Sequence, residues 1–105
     1  PALDGIAWFC GNAQGWPHPV GEKDPNSWGL HDMLGNIWEW CGDWYGDYPA
    51  APPADYVGPP EGSNRVLRGG AWGYLAQYVR AAYRRSYGPG ERSVYFGFRP
   101  LRSLP

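Results

Sequence analysis

Leu30-His31-Asp32-Met33-Leu34-Gly35-Asn36-Ile37-Trp38-Glu39-Trp40 is the stretch on which the rest of the chain depends. Two tryptophans flank one glutamate, and a Gly-Asn pair stands just before them. Extended backbone alternates its side chains, so Trp38 and Trp40 share one face and Glu39 takes the other. Tryptophan carries a very large apolar area, so the shared face needs a core beneath it. Asp32, Glu39 and the backbone around Gly35 gather oxygen atoms instead. One face is expected to be buried, and the other suits a hard cation.

The chain has 105 residues, which bounds it to at most one domain. Its 16 glycines and 12 prolines exceed a quarter of the residues, a share that alone would signal disorder. Aromatic residues, however, make up 17%, and disordered chains lack them. The expectation is an ordered, loop-rich domain held by aromatic packing, with little long helix or sheet. A net charge of −1 favours neither nucleic acid nor an anionic membrane through bulk electrostatics. No apolar run approaches the roughly 20 residues of a membrane span, and no signal peptide is visible. The chain opens on Pro1-Ala2-Leu3 without a methionine, which reads as a fragment or a processed piece. Cys10 and Cys41 are too few for a disulfide scaffold or a zinc site. Two buried free thiols are expected, with a single Cys10–Cys41 disulfide as the alternative.

Leu3, Ile6, Ala7 and Cys10 fall at helical spacing and predict a short helix over residues 3–11, stopped by Gly11-Asn12. Residues 15–27 are turn-rich. His18-Pro19-Val20-Gly21 reads as a compact extended piece and Asp24-Pro25-Asn26 as a turn. Asp43-Trp44-Tyr45 continues the aromatic run. Residues 47–64 are rich in Pro, Gly and Ala and predict a long ordered surface loop. Arg65-Val66-Leu67-Arg68 predicts a strand ended by a bulge or tight approach at Gly69-Gly70. Further strands are expected over residues 80–84 and 95–99, with a turn at Tyr87-Gly88-Pro89-Gly90. There is no internal repeat and no heptad pattern.

Four pieces, in this order, resemble the formylglycine-generating enzyme (sulfatase-modifying factor) family. They are Pro25-Asn26-Ser27-Trp28-Gly29-Leu30-His31-Asp32-Met33-Leu34-Gly35-Asn36-Ile37-Trp38-Glu39-Trp40, Arg65-Val66-Leu67-Arg68-Gly69-Gly70-Ala71-Trp72, Arg80-Ala81-Ala82-Tyr83-Arg84 and Phe96-Gly97-Phe98-Arg99. Any one is weak, but their order and spacing together are specific. The resemblance runs from Leu3 to Arg102 and corresponds only to the C-terminal part of the family's longer domain. It implies an α+β, irregular, loop-rich fold of the C-type-lectin type.

The resemblance also implies chemistry that these residues only partly match. Catalytic members carry a copper-binding cysteine pair just after the Gly-Gly of the matching strand, because Cu(I) needs soft thiolates. Here Gly70 is followed by Ala71-Trp72-Gly73-Tyr74-Leu75-Ala76-Gln77-Tyr78-Val79, with no cysteine before Arg80. Copper is therefore not expected. Related sulfoxide synthases use a three-histidine iron site, and this chain has only His18 and His31, which read as hydrogen-bonded loop histidines. No Ser/His/Asp arrangement, phosphate loop or partnered carboxylate pair is present. What survives is a calcium site. Carried over by position, it consists of the Asp32 and Glu39 side chains with the Gly35 and Ile37 carbonyls. Oxygen-only ligands of this kind suit Ca2+. The plainer reading is that Asp32 and Glu39 cap backbone N–H groups or pair with arginines. A second family calcium site cannot be aligned here.

One departure from the family is informative. Many bacterial relatives carry asparagines after the Gly-Gly-Ser-Trp position, whereas residues 65–105 here contain none. The corresponding places hold Gly73, Tyr74, Leu75, Tyr78, Ser86, Tyr87, Ser93, Val94 and Tyr95. Each of these residue types is reached from an asparagine codon by changing adenines. Diversity-generating retroelements vary the binding surface of variable proteins of this fold in just that way. Trp72, Arg80, Ala81, Ala82, Tyr83, Arg84, Gly97, Phe98 and Arg99 keep the family's framework, and ordinary drift in a non-catalytic relative is the alternative origin. Tyrosine, serine and glycine also dominate antibody paratopes.

The resemblance thus implies a non-catalytic module that displays a variable aromatic surface to a protein or other macromolecular ligand. The alternative is part of a formylglycine-generating or related metal-dependent oxidase. A bacterial or phage source is implied, with cell surface and cytoplasm both open. The arginines Arg80, Arg84 and Arg99 are expected to serve loop acceptors, and the tyrosines to be substantially exposed on one face.

Overall fold

The computed structural model describes residues 2–101. The readings that reach Pro1 and Arg102 lie outside it. A short helix α1 (Ala2–Ile6) leads through loops to strand β1 (Trp38–Trp44). Then follow β2 (Arg65–Arg68), a 3-10 turn (Ala76–Tyr78), β3 (Arg84–Tyr87) and β4 (Phe96–Gly97). The four strands form one sheet in the order β3-β2-β1-β4, antiparallel except where β4 runs parallel to β1. This is the expected α+β, loop-rich architecture.

Alternation in β1 works as the opening stretch predicted. Trp38 is fully buried and packs with Leu67 and Ala71, while Trp40, Tyr74, Tyr83, Tyr87, Tyr95 and Phe96 close around them. Leu67 stands opposite Trp40 and Arg85 in the register, so these share the aromatic face. Glu39, Arg68 and Arg84 pair in register on the other face. Val66 on that face is also buried, so the sheet is covered on both sides at β2.

The stretch before β1 is held by its backbone. Gly35 has φ +77° and packs against the Trp8 backbone so closely that a Cβ there would collide with the Trp8 carbonyl. Its N–H donates to the Gly69 carbonyl at 2.6 Å. Asn36 follows at φ +65° and is buried. Its N–H donates to Trp8 O at 2.7 Å, and its carbonyl accepts from Trp72 N at 2.9 Å. Its side chain closes a two-way clasp on His18, with Oδ1 accepting from His18 N and Nδ2 donating to His18 O, both at 2.9 Å. One residue thus ties together three segments far apart in sequence.

The same ties correct the expected helix over residues 3–11. It ends at Ile6 because tertiary partners take the next backbone groups. Trp8 O serves Asn36, Cys10 N donates to Tyr74 O at 2.9 Å, and the Asn12 side chain caps Phe9 N at 2.9 Å. Cys10 is exposed and Cys41 half-buried; both are free thiols, so the expectation of two buried thiols fails at Cys10. The turn expected at Asp24-Pro25-Asn26 starts at Asn26 instead, whose Oδ1 accepts from Trp28 N and Leu30 N. The strand expected over residues 80–84 begins only at Arg84. Buried Val79 is pinned in the bend at Gly70 (φ +79°), and Tyr83 N turns back to Arg80 O. The closing strand is reduced to Phe96–Gly97, because Phe98 faces solvent. Residues 47–64 form the expected surface loop. Its ends are joined by Tyr45 N to Asn64 O at 2.7 Å, and Arg84 pins its start by donating to Gly46 O at 2.6 Å.

Candidate functional site: an aromatic and arginine face

The aromatic face grows outward from Trp38. Tyr74 meets its ring edge-on at 5.2 Å, Tyr78 meets Tyr74 at 6.1 Å, and Tyr95 meets Tyr74 at 5.3 Å. Tyr95 also lies against Trp72 at 4.7 Å, and the Trp72 indole donates to Val94 O at 3.2 Å. Edge-to-face rings of this kind contribute about 0.5–1.5 kcal/mol per pair beyond their burial. Gly73 sits directly under Tyr95: a Cβ there would lie 2.6 Å from the Tyr95 ring. Glycine at 73 and tyrosine at 95 are therefore sterically coupled.

Arg85 extends the cluster across the sheet. Its guanidinium stands 5.1 Å from the Tyr74 ring and 5.6 Å from the Tyr87 ring, and donates to the Tyr87 hydroxyl at 3.2 Å. That hydrogen bond raises the Arg85 pKa above the ordinary arginine value, so the charge is permanent. Its Nε is buried without a partner. Tyr87 packs in turn on Phe96 at 5.0 Å.

Of the nine positions expected to vary, Gly73, Tyr74, Tyr78 and Tyr95 come together directly, and Tyr87 joins them through Arg85. Ser93 and Val94 lead into the same edge, with Ser93 Oγ accepting from Tyr95 N at 3.1 Å. Leu75 follows Tyr74 and is 56% exposed. Ser86 alone departs: strand alternation turns it to the other sheet face with Arg84. The tyrosines are half-buried rather than freely exposed, because each leans on the next ring and the innermost leans on Trp38. Arg85 belonged to neither the framework nor the variable set, and its adjacency to Arg84 on a strand was the one signal that could have marked it.

The expected cation site has a different organisation. Asp32 is buried, with Oδ2 accepting from Gly21 N at 2.8 Å and Oδ1 left without a partner. Glu39 spends both oxygens on Arg99, at 2.6 and 2.8 Å. The same guanidinium donates to the carbonyls of His31 and Asp32 at 3.0 and 2.9 Å. Gly35 O accepts from Ile37 N at 2.9 Å. Arg99 is thus the cation at the Glu39 carboxylate and the His31 and Asp32 carbonyls, and its hydrogen bond to Glu39 raises its pKa. Of the expected set Asp32, Gly35, Ile37 and Glu39, Asp32 has one carboxylate oxygen without a partner among the described residues, while each Glu39 oxygen accepts from Arg99.

The histidines are engaged as loop histidines. His18 stacks on Trp8 at 3.7 Å and bonds Ala13 O through Nε2 at 2.8 Å, and His31 bonds Lys23 O through Nδ1 at 2.9 Å. Among the described residues no three His, Cys, Asp or Glu side chains group around one point. No helix among them is long and apolar enough to cross a membrane.

The sulfatase-modifying factor enzyme 1-like domain matches residues 6–104. The chain is 43% identical over 84 residues to a serine/threonine-protein kinase pkn1 from Chlamydia pneumoniae, covering 76% of this chain and 14% of that protein. It is 39% identical over 114 residues to the formylglycine-generating enzyme of Streptomyces coelicolor, covering 90% of this chain and 36% of that one. Among solved structures it superposes on Treponema denticola variable protein 1 with a TM-score of 0.86 and 43% identity. That match covers 91% of this chain and 35% of the other. The chain therefore spans about a seventh to a third of the length of these relatives.

Proposed function

The chain belongs to the sulfatase-modifying factor family, and we propose that it is a non-catalytic binding module of that family, presenting a variable aromatic surface to a macromolecular ligand. One observation carries the proposal. Eight of the nine positions whose residue types are reachable from an asparagine codon adjoin one aromatic face around Trp72, Tyr74 and Tyr95. The residues that hold that face in place, Trp38, Asn36 and Tyr83, belong to the matched framework. Likeness to a variable protein over 91% of the chain supports the same reading. Likeness to formylglycine-generating enzymes does not carry their activity across. The matched segment is about a third of the enzyme, and it lacks cysteine between Gly70 and Arg80, where copper-binding thiols belong. The kinase relative makes the same point, since similar segments occur in proteins named for different activities.

The test is the gene's own neighbourhood. The proposal expects a near-identical template repeat that differs from the gene at adenines, with the mismatches confined to the codons for these nine positions. A locus with no repeat, or mismatches spread over the codons for Trp38, Leu67 and Arg84, would overturn it.

A further inference from the structure

The near-zero net charge conceals a segregation. Residues 1–64 carry nine carboxylates and one lysine, net −8, whereas residues 65–105 carry eight arginines and one carboxylate, net +7, giving the −1 of the whole chain. The fold gathers five of these eight arginines on one side of the sheet, at β2, β3 and the turn before β3. β2 and β3 supply Arg65, Arg68, Arg84 and Arg85, and the turn before β3 supplies Arg80. Among the described residues none of these five has a carboxylate partner; the arginine pair is Arg99 with Glu39.

Four of the five lie over aromatic rings instead. Arg65 sits over Trp44 at 3.5 Å, Arg84 over Tyr48 at 3.9 Å and Tyr45 at 4.5 Å, and Arg80 over Tyr83 at 5.5 Å. Arg85 sits between Tyr74 and Tyr87. Stacking orients a guanidinium and leaves its charge and remaining N–H groups available to an anion.

Among the described residues β3 is also an edge strand, with β2 on one side and no strand on the other. An edge strand turns a row of unpaired N–H and C=O groups outward. Arg84 and Arg85 repel a second copy of the same edge but attract an acidic strand. Alternation places Arg84 on one face and Arg85 on the other, so an added strand meets a guanidinium on each side. A groove of about 450 Å³ runs beside this edge, lined by Tyr45, Tyr83, Arg84, Arg85, Ser86 and Tyr87.

We propose that the outer edge of β3 takes up an extended acidic segment of a partner protein by strand addition. The segment's main chain pairs with β3, and its carboxylates meet Arg84 on one face and Arg85 on the other. This rests on the binding-module reading and gives it a ligand chemistry. Main-chain pairing and charge come from framework and edge, and Tyr74, Tyr78 and Tyr87 read the side chains that project onto the aromatic face.

The probe is a fluorescein-labelled octapeptide of the repeat Glu-Glu-Val-Val, which in extended form carries glutamates on both faces, titrated with the chain and followed by anisotropy. Binding is expected, and the lysine–valine counterpart should not bind. Methylating alternate amide nitrogens keeps the charge but blocks strand pairing, and should abolish binding. Arg84→Gln and Arg85→Gln should each weaken it about tenfold, as expected for a lost charge-assisted hydrogen bond. Arg85→Lys, which keeps the charge but loses the stacked fork, should fall between. Circular dichroism on each variant checks the fold. The proposal is overturned if the methylated peptide binds as well as the parent, if the parent does not bind, or if a single-stranded oligonucleotide of equal charge binds as tightly. Any of those results leaves the variable-surface reading to the template-repeat test, which does not depend on this edge.

Discussion

Replacing Asn36 by alanine attacks the joint on which the fold is assembled. The substitution removes both bonds of the clasp on His18, each 2.9 Å long. It also leaves a Cβ-bearing residue without a compensating side-chain bond at φ +65°. An orphaned backbone group costs about 1–3 kcal/mol when buried. His18 is half-buried, so water recovers part of that, and the pair together is worth roughly 2–3 kcal/mol. Alanine in the left-handed region adds about 1–2 kcal/mol. The sum is about 3–5 kcal/mol, a large part of the ~5–15 kcal/mol that holds a small domain together. At about 4–8 °C per kcal/mol for a chain of this size, the melting temperature should fall by at least ~12 °C. Asn36→Gly loses the same bonds without the backbone strain, and should be about 1–2 kcal/mol milder. Urea denaturation of the three proteins measures both differences. Asn36→Ala within about 0.5 kcal/mol of the wild type, or glycine no better than alanine, would refute the reasoning.

Gly73→Ala should destabilise the wild type by about 1–3 kcal/mol as an overpacking change, but much less in a Tyr95→Ser background, because the colliding ring is gone; a double-mutant cycle without coupling would contradict the contact. Arg99→Ala should cost about 1–3 kcal/mol, since Glu39 and the His31 and Asp32 carbonyls lose their donor, while chelator should leave the wild-type melting temperature unchanged. A fall on chelation would instead point to an ion held by Asp32, Gly35, Ile37 and Glu39. The two thiols should react with a disulfide reagent in two phases: exposed Cys10 quickly, and Cys41 slowly, because burial, with Asp43 and Glu39 nearby, pushes its pKa above the ordinary thiol value and disfavours the thiolate. The gap should narrow as pH rises through the Cys41 pKa; equal rates at neutral pH would be inconsistent with that placement.

Elements that a local pattern dictates were legible in the sequence. Period-two alternation placed Trp38 and Trp40 on one face and Glu39 on the other, and the short apolar pair Val66-Leu67 marked β2. Elements dictated by distant partners were not. β3 is set by its register against β2 and not by its own composition, which is why the strand lies several residues beyond where the Arg80-Ala81-Ala82-Tyr83-Arg84 motif suggested. The helix ends early because Trp8 and Cys10 spend their backbone groups on Asn36 and Tyr74. Glu39 and Arg99 are 60 residues apart, so their pairing could only be offered as an alternative to an ion. The charge segregation was visible in the residues all along, hidden by a sum close to zero.

The central claim is that a rigid framework carries a surface free to vary, and two displayed libraries test it directly. One randomises Tyr74, Leu75, Tyr78, Tyr87, Ser93, Val94 and Tyr95 with Gly73 held. The other randomises Asn36, Trp38, Leu67, Trp72, Arg84 and Arg99. Protease resistance of the displayed chains reports folding. The account predicts that most members of the first library stay resistant and most of the second are lost. Equal losses in both would contradict it.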